Sequence, residues 1–181
     1  MSDSLQVSVT MRRIPNTGVA SRWESHRWEL AAVQPLQVNM DVASQGAPLE
    51  TQAQLVLDTP IEQRWQFSPF EVALFKDDGQ GYRLNVDSPA PCWFVMWRME
   101  DGAVRPDVQA VSLSYHDAGR WLDSQERVDQ VPLLPDYPGI VETLREFADL
   151  HDVAEVKRRK RPDSFQSLTD RFGRPARVSH G

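Results

Sequence analysis

The chain is poor in cysteine and has no long apolar run. Its 181 residues include one cysteine, Cys92. A single thiol excludes an internal disulfide and supplies too few ligands for a thiolate-rich zinc or iron–sulfur site. The longest apolar run, residues 92–97, is far shorter than the ~20 residues that a membrane-spanning helix needs. Arg12 and Arg13 resemble the start of a twin-arginine export signal, but a polar turn follows them instead of an apolar segment. We therefore expect a cytoplasmic protein, in keeping with its single cysteine, and no membrane partner.

Charge is distributed unevenly along the chain, whose formal net charge is −6. Residues 1–156 carry 12 basic and 24 acidic residues, a net charge of −12, whereas residues 157–181 carry eight basic and two acidic residues, a net charge of +6. This split predicts a single acidic domain over residues 1–156 and a basic flexible tail over residues 157–181. Because an acidic domain repels polyanions, the charge argues against nucleic acid and favours a protein partner.

Most of the predicted domain has the period of β-strands. Alternating or apolar runs separated by turn residues predict strands over residues 5–11, 27–36, 64–67, 71–76, 82–86, 93–99 and 108–113. The run Asp77-Asp78-Gly79-Gln80-Gly81 predicts a hairpin turn, and the polar residues 37–63 are expected to be the least ordered part of the domain. Short strands at this spacing are typical of an antiparallel sheet or small barrel.

Two helices are predicted toward the C-terminus. Ser114 is a suitable N-cap for a helix whose apolar face includes Ala118 and Trp121. After an extended segment over residues 128–134, a second helix carries a stripe at i, i+4, i+7 and i+11, formed by Ile140, Leu144, Phe147 and His151. The predicted fold class is therefore α+β: mainly an antiparallel β-sheet or small barrel, with two helices toward the C-terminus and a disordered basic tail.

The tail has two features that predict partner binding. The first is a like-charge block formed by Lys157, Arg158, Arg159, Lys160 and Arg161. The second is an apolar stripe at i, i+3 and i+7, Phe165, Leu168 and Phe172, which predicts a short docking helix over residues 164–172. A helix this short is only marginally stable in isolation, so it would fold when its apolar stripe binds a groove on a partner. Docking on its own domain, or no structure, are the alternatives.

A cluster of arginines and tryptophans is a candidate ligand site. Guanidinium groups bind phosphate or carboxylate, and indole rings stack on flat rings, so a nucleotide or pterin is the ligand class. The candidate residues are Arg12, Arg13, Arg22, Trp23, Arg27 and Trp28. The alternative is that the tryptophans are core or edge residues and the arginines pair with local carboxylates.

Other reactive residue types give weaker predictions. His116 and Asp117 could serve an enzyme, but adjacent helix residues do not face each other, so their spacing does not make a dyad. The histidines are too scattered for a metal signature. Cys92 opens an apolar strand, which is typical of a small buried residue. Gly79 and Gly81 are assigned to the hairpin and not to a phosphate-binding loop. We therefore predict no cofactor, metal or catalytic residue.

Three segments taken together resemble an uncharacterised bacterial family, a domain of unknown function. They are Arg22-Trp23 with Trp28; residues 82–86 followed by Pro91 and residues 93–98; and residues 111–118 continuing through 122–124, 131–135, Phe147 and His151 to 157–161. The resemblance covers roughly residues 5–161. The chain departs from the family pattern at Ser114-Tyr115, where the family often has a Ser-Pro step. The resemblance ends before the Phe165–Phe172 element.

Members of that family are typically encoded beside molybdenum-dependent formate dehydrogenases and their maturation genes. The resemblance implies a non-enzymatic accessory or adaptor protein for the maturation or assembly of such an enzyme. Formate dehydrogenase or its maturation factors would be the protein partner. A second hypothesis is a pterin- or nucleotide-binding module in molybdenum cofactor handling, with the arginine–tryptophan cluster as its site. The family supplies no catalytic residues that could be carried over to this chain.

Overall fold

The computed structural model describes residues 4–36, 50–133 and 139–152. Seven strands are defined over this part of the chain: β1 (Ser4–Pro15), β2 (His26–Pro35), β3 (Gln52–Asp58), β4 (Gln63–Ala73), β5 (Cys92–Arg98), β6 (Asp107–Ser112) and β7 (Arg127–Pro132). Three helices accompany them: α1 (Gly79–Val86), α2 (Tyr115–Asp123) and α3 (Ile140–His151). Short 3-10 turns cover Gly18–Arg22 and Lys76–Asp78.

The strands form two antiparallel sheets. The four-stranded sheet has the order β2-β1-β4-β3, and the three-stranded sheet has the order β6-β5-β7. Strand β2 lies beside β7, and β4 lies beside β6, so both edge strands of the three-stranded sheet contact the four-stranded sheet. The predicted α+β class, rich in antiparallel strands, is confirmed. The tail and its proposed helix lie outside the described residues, and the domain boundary at residue 156 stays a prediction.

The main core lies between the two sheets. Strand β1 contributes Val7, Val9 and Met11, each fully buried, as the alternation of this strand predicts. Strand β5 contributes Trp93 and Val95, which belong to the same apolar cluster. The intervening β5 residues, Cys92 and Phe94, are also buried, but they pack with Ala118 of α2 in a second cluster. Strand β5 is therefore buried on both faces, as its unbroken apolar run predicts.

Helices α1 and α3 pack together and extend the main core. Tyr82 of α1 and Leu144 and Ala148 of α3 are buried in the same cluster as the strand residues. The Tyr82 ring meets Phe147 edge-on at 5.7 Å, and Arg83 forms an ion pair with Asp149. The predicted apolar stripe of α3 is confirmed. His151 is the last residue of the helix, and its ring packs on Phe147.

Helix α1 corrects the sequence prediction. Residues 82–86 were expected to be a strand because Tyr82, Leu84 and Val86 alternate, but they form the body of α1. Tyr82, Asn85 and Val86 are buried, at the spacing i, i+3 and i+4, whereas Leu84 is 48% exposed. The buried residues of this segment therefore follow the helical period of about 3.6 residues and not the strand period of two. The predicted hairpin at residues 77–81 is also wrong, because these residues end the 3-10 turn and begin α1.

Two further strand predictions are corrected. Residues 64–67 and 71–76 were expected to be separate runs, but residues 63–73 form the single strand β4. Its pairing with β1 passes from Phe67 to Phe70, so a bulge takes up Ser68 and Pro69, where proline's missing donor is tolerated. Part of the region expected to be the least ordered, residues 52–58, forms the outer strand β3. Residues 37–49 lie outside the described residues.

Two glycines at the start of α1 allow its neighbours to approach closely. A Cβ atom at Gly79 would lie 2.5 Å from the backbone carbonyl carbon of His151, at the end of α3. A Cβ atom at Gly81 would lie 2.3 Å from Oγ of Ser114, the residue before α2. A Cβ atom at such distances would overlap its neighbours. The absence of a side chain at Gly79 and Gly81 therefore allows α1 to contact α3 and the start of α2.

Replacing Gly79 with alanine should destabilise the fold, because the added methyl group meets backbone atoms that cannot rotate away. We expect Gly79→Ala to lower the free energy of unfolding by about 1–3 kcal/mol, the usual cost of overpacking. Gly119→Ala is the matched control, since a Cβ there meets nothing within 4 Å inside α2. The control should be neutral or stabilise by up to about 1 kcal/mol. Urea unfolding of both variants checks this, and equal midpoints would contradict it.

Candidate functional site

A groove of about 560 Å³ lies on the outer side of the three-stranded sheet. Helix α2 forms one wall, the edge of β2 forms the other, and β5 and β7 lie between them. The groove is lined by Glu29, Leu30, Phe94, Tyr115, Ala118, Gly119, Leu122, Val128, Asp129 and Gln130. A second hollow of about 390 Å³, which includes Cys92, shares Tyr115 and Gln130 with it.

The groove is mainly apolar because of how α2 sits on β5. Ala118 is small and buried, so the helix can approach Phe94 closely. The Tyr115 ring meets the Phe94 ring edge-on, with centroids 5.0 Å apart. Tyr115 and Leu122, seven residues apart on the same helix face, remain 39% and 58% exposed. Two large apolar side chains beside an apolar floor are typical of a surface that binds another apolar group.

Carboxylates mark the β2 side of the groove. Arg12 donates to Oε2 of Glu29 at 2.7 Å, and Arg27 donates to Oε1 at 2.7 Å. These hydrogen bonds, Arg27's first and Arg12's second, hold the pKa of Glu29 below its usual range. Asp129 of β7 accepts a hydrogen bond from the backbone N–H of Leu30 at 3.2 Å, which ties the two sheets together at the groove.

A buried asparagine holds the helical end of the groove in place. Asn85 of α1 is fully buried, and its amide donates to the backbone carbonyls of Cys92 and Leu113, both at 2.8 Å. Its Oδ1 accepts from the backbone N–H of Cys92 at 3.0 Å. One side chain therefore fixes the start of β5 and the residue before the α2 cap. Ser114 then caps α2 by accepting from the N–H of His116 at 3.0 Å, which confirms the predicted N-cap.

Cys92 is a buried thiol. The side chain is 5% exposed, and its Sγ lies 3.5 Å from Oε1 of Gln130. Burial raises its pKa from the ordinary 9.0 to about 11, so the thiol stays protonated at neutral pH. The prediction that Cys92 is a small buried residue is confirmed. Because the thiolate is the nucleophile, this environment suits a packing role.

The arginine–tryptophan cluster is divided between the two faces of its sheet. Arg12 pairs in register with Glu29, and Arg13 pairs with Trp28, so the two pairs point to opposite faces. Trp28 packs partly buried against the main core. Arg22 ends a 3-10 turn and Trp23 follows it, 87% exposed. The structure thus brings Arg12 and Arg27 together on Glu29, and ligand binding by the six residues stays a prediction.

His116 and Asp117 have separate partners. His116 Nδ1 lies 2.9 Å from Oδ1 of Asp78, whereas the Asp117 carboxylate accepts from Ser112 and pairs with Arg120. The prediction that these neighbours do not form a dyad is confirmed. The contact between His116 and Asp78 instead links α2 to the beginning of α1, beside Gly81.

Residues 4–36, 50–133 and 139–152 lack two kinds of feature. Within these ranges, no three or more His, Cys, Asp or Glu side chains come together in a group that could hold a metal ion. In the same part of the chain, no helix has the length and apolar character that crossing a membrane requires. The partner-binding residues predicted at 157–161 and at Phe165, Leu168 and Phe172 lie outside these ranges.

The groove itself was missed by the sequence prediction. Leu30 and Asp129, which meet at its edge, are 99 positions apart in the chain. The one local signal was on α2, where Tyr115 and Leu122 are seven residues apart and so share a helix face. Asn85 was missed because its segment was assigned to a strand.

The fold and the groove define a small β-rich α+β domain with an apolar groove on its surface. A family model of proteins of unknown function, DUF3305, matches residues 6–161. The chain belongs to this family, which confirms its resemblance to an uncharacterised domain of unknown function. Comparison with curated proteins and with solved structures finds no match.

Removing the Asn85 amide should destabilise the domain strongly. Asn85→Ala leaves two buried carbonyls and one N–H without partners, and each unpaired group costs about 1–3 kcal/mol. We expect a loss of about 3 kcal/mol or more in the free energy of unfolding. Asn85→Asp, which keeps the shape but loses both donors, should also destabilise. Asn16→Ala, which removes an exposed bond to Glu24, should cost under about 1 kcal/mol. A small effect of Asn85→Ala on urea unfolding would show that the Asn85 hydrogen bonds do not hold these elements together.

Cys92 should react slowly with thiol reagents in the native protein. At pH 8 we expect labelling by a disulfide reagent to be slow, and to become fast in denaturant, where the thiol regains its ordinary pKa. Because the native pKa is about 11, the native rate should keep rising with pH beyond 9. Stopped-flow labelling measures both effects. Rapid native labelling at pH 8 would show that the thiol is accessible and ionised.

Proposed function

We propose that this chain is a non-enzymatic accessory or adaptor protein that assists the maturation or assembly of a molybdenum-dependent formate dehydrogenase in the cytoplasm. The observation that carries the binding role is the apolar groove between α2 and β2. It exposes Tyr115 and Leu122 beside the buried ring of Phe94. Such surfaces bind apolar side chains of other polypeptides. The link to formate dehydrogenase comes from the family resemblance, whose members are typically encoded beside that enzyme's genes.

The charge of the chain also supports a protein partner. The acidic domain disfavours polyanions, whereas the basic tail offers Lys157–Arg161 to an acidic surface. Formate dehydrogenase or one of its maturation factors would be that partner. The pterin- or nucleotide-binding alternative is ranked second, because Arg12 and Arg27 already hydrogen-bond Glu29 and would need to leave it for an anion.

Complementation of a deletion strain tests the proposal. A host strain that lacks this gene should lose formate dehydrogenase activity and molybdenum loading, and the wild-type chain should restore both. Leu122→Asp places a charge in the groove and should fail to restore them, because a buried unpaired carboxylate opposes apolar docking. Ile61→Asp is the matched control, since Ile61 is 73% exposed on the turn between β3 and β4.

The outcomes separate the two parts of the proposal. Full enzyme activity and molybdenum loading in the deletion strain would refute the link to formate dehydrogenase. Restoration by Leu122→Asp as complete as that by Ile61→Asp would refute the role of the groove. Both variants should be shown to be folded by circular dichroism and to accumulate to equal levels in the host.

A further inference from the structure

We propose that the groove between α2 and β2 is the docking site of this chain's own C-terminal segment, residues 162–173. In this arrangement the stripe Phe165, Leu168 and Phe172 covers the apolar wall made by Tyr115 and Leu122. The proposal goes beyond the adaptor function: the segment covers the groove when no partner is bound. Its test uses the purified protein with no formate dehydrogenase present.

The groove and the segment have matching chemistry. The groove presents a row of apolar side chains along α2, a helix of nine residues and about 14 Å. The stripe Phe165–Phe172 has its apolar residues at i, i+3 and i+7, so two helical turns place all three on one side, over a similar length. A helix this short gains its stability from packing and not from its own backbone bonds, so an apolar groove supplies what it needs.

The chain leaves the described domain close to the groove. Helix α3 ends at His151, whose backbone lies directly against Gly79. Gly81, two residues on, lies directly against Ser114, and the next residue, Tyr115, lines the groove. The end of α3 and the beginning of α2 are therefore held at the same end of the domain by the first turn of α1.

The connecting segment is long enough for docking. Thirteen residue steps separate Asp152 from Phe165. At about 3.3 Å per step, an extended connection reaches about 40 Å, which is several times the 10–12 Å diameter of a helix. The segment can therefore reach any point along α2 without displacing α3.

The charge of the tail as a whole favours its association with its own domain. Residues 157–181 carry a net charge of +6, and the preceding 156 residues carry −12. The groove contributes Glu29 and Asp129, each already holding a hydrogen bond from its own domain. Charge therefore attracts the tail to the domain as a whole, whereas the apolar stripe selects the groove.

Paramagnetic relaxation in the full chain tests the docking. Asp170 lies opposite the apolar stripe in helical projection, so a nitroxide on Asp170→Cys, in a Cys92→Ala background, leaves the proposed contact intact. We expect the amide signals of Tyr115, Leu122 and Val128 to lose most of their intensity and to recover it when the nitroxide is reduced. Amide signals of β3, on the other sheet, should change little.

Two variants and a mixing experiment decide the result. Phe165→Asp with Leu168→Asp should abolish the broadening at α2, whereas Val178→Asp, outside the stripe, should leave it unchanged. Mixing spin-labelled protein with isotope-labelled protein that has no nitroxide should give no broadening, because docking is within one chain. Broadening at α2 of the chains without a nitroxide in the mixture would show that a second copy is the occupant and would overturn the proposal. Absence of broadening at α2 in the labelled chain would overturn it too.

Discussion

The arrangement of the groove depends on one buried side chain, Asn85. Its amide joins three elements by hydrogen-bonding the backbone where β5 begins and where β6 passes into α2. A buried amide with all its bonds made is stable only in one geometry, because each group left unpaired carries a desolvation cost. Helix α1, β5 and the cap of α2 therefore hold fixed relative positions, and the wall of the groove follows from them.

Strand β5 serves two cores at once. Trp93 and Val95 fill the space between the sheets, and Cys92 and Phe94 fill the space beneath α2. The second cluster is the smaller one, and α2 leaves Leu122 and part of Tyr115 in water. The molecule thus has a well-covered interior on one side of the sheet and an incompletely covered one on the other. An apolar segment that binds there completes this second core.

The sequence predicts those elements whose period is long and regular. The alternation of β1, the apolar run of β5, the Ser114 cap and the stripe of α3 all appear in the structure. Helix α1 was mistaken for a strand, because five residues can match both periods and only the burial of Asn85 distinguishes them. The groove could not be predicted, since Leu30 and Asp129 meet through sheet packing and no local pattern records that contact.

The place of β1 in its sheet constrains the order of folding. This N-terminal strand lies between β2 and β4, so it is paired on both sides. Its pairing with β2 closes a loop of ten residues, 16–25, but its pairing with β4 joins Ser4 to Ala73. Closing such distant contacts is slow, and synthesis delivers β4 and β5 well after β1. Strands β1 and β2 can therefore pair before β5 is available to cover Val7, Val9 and Met11.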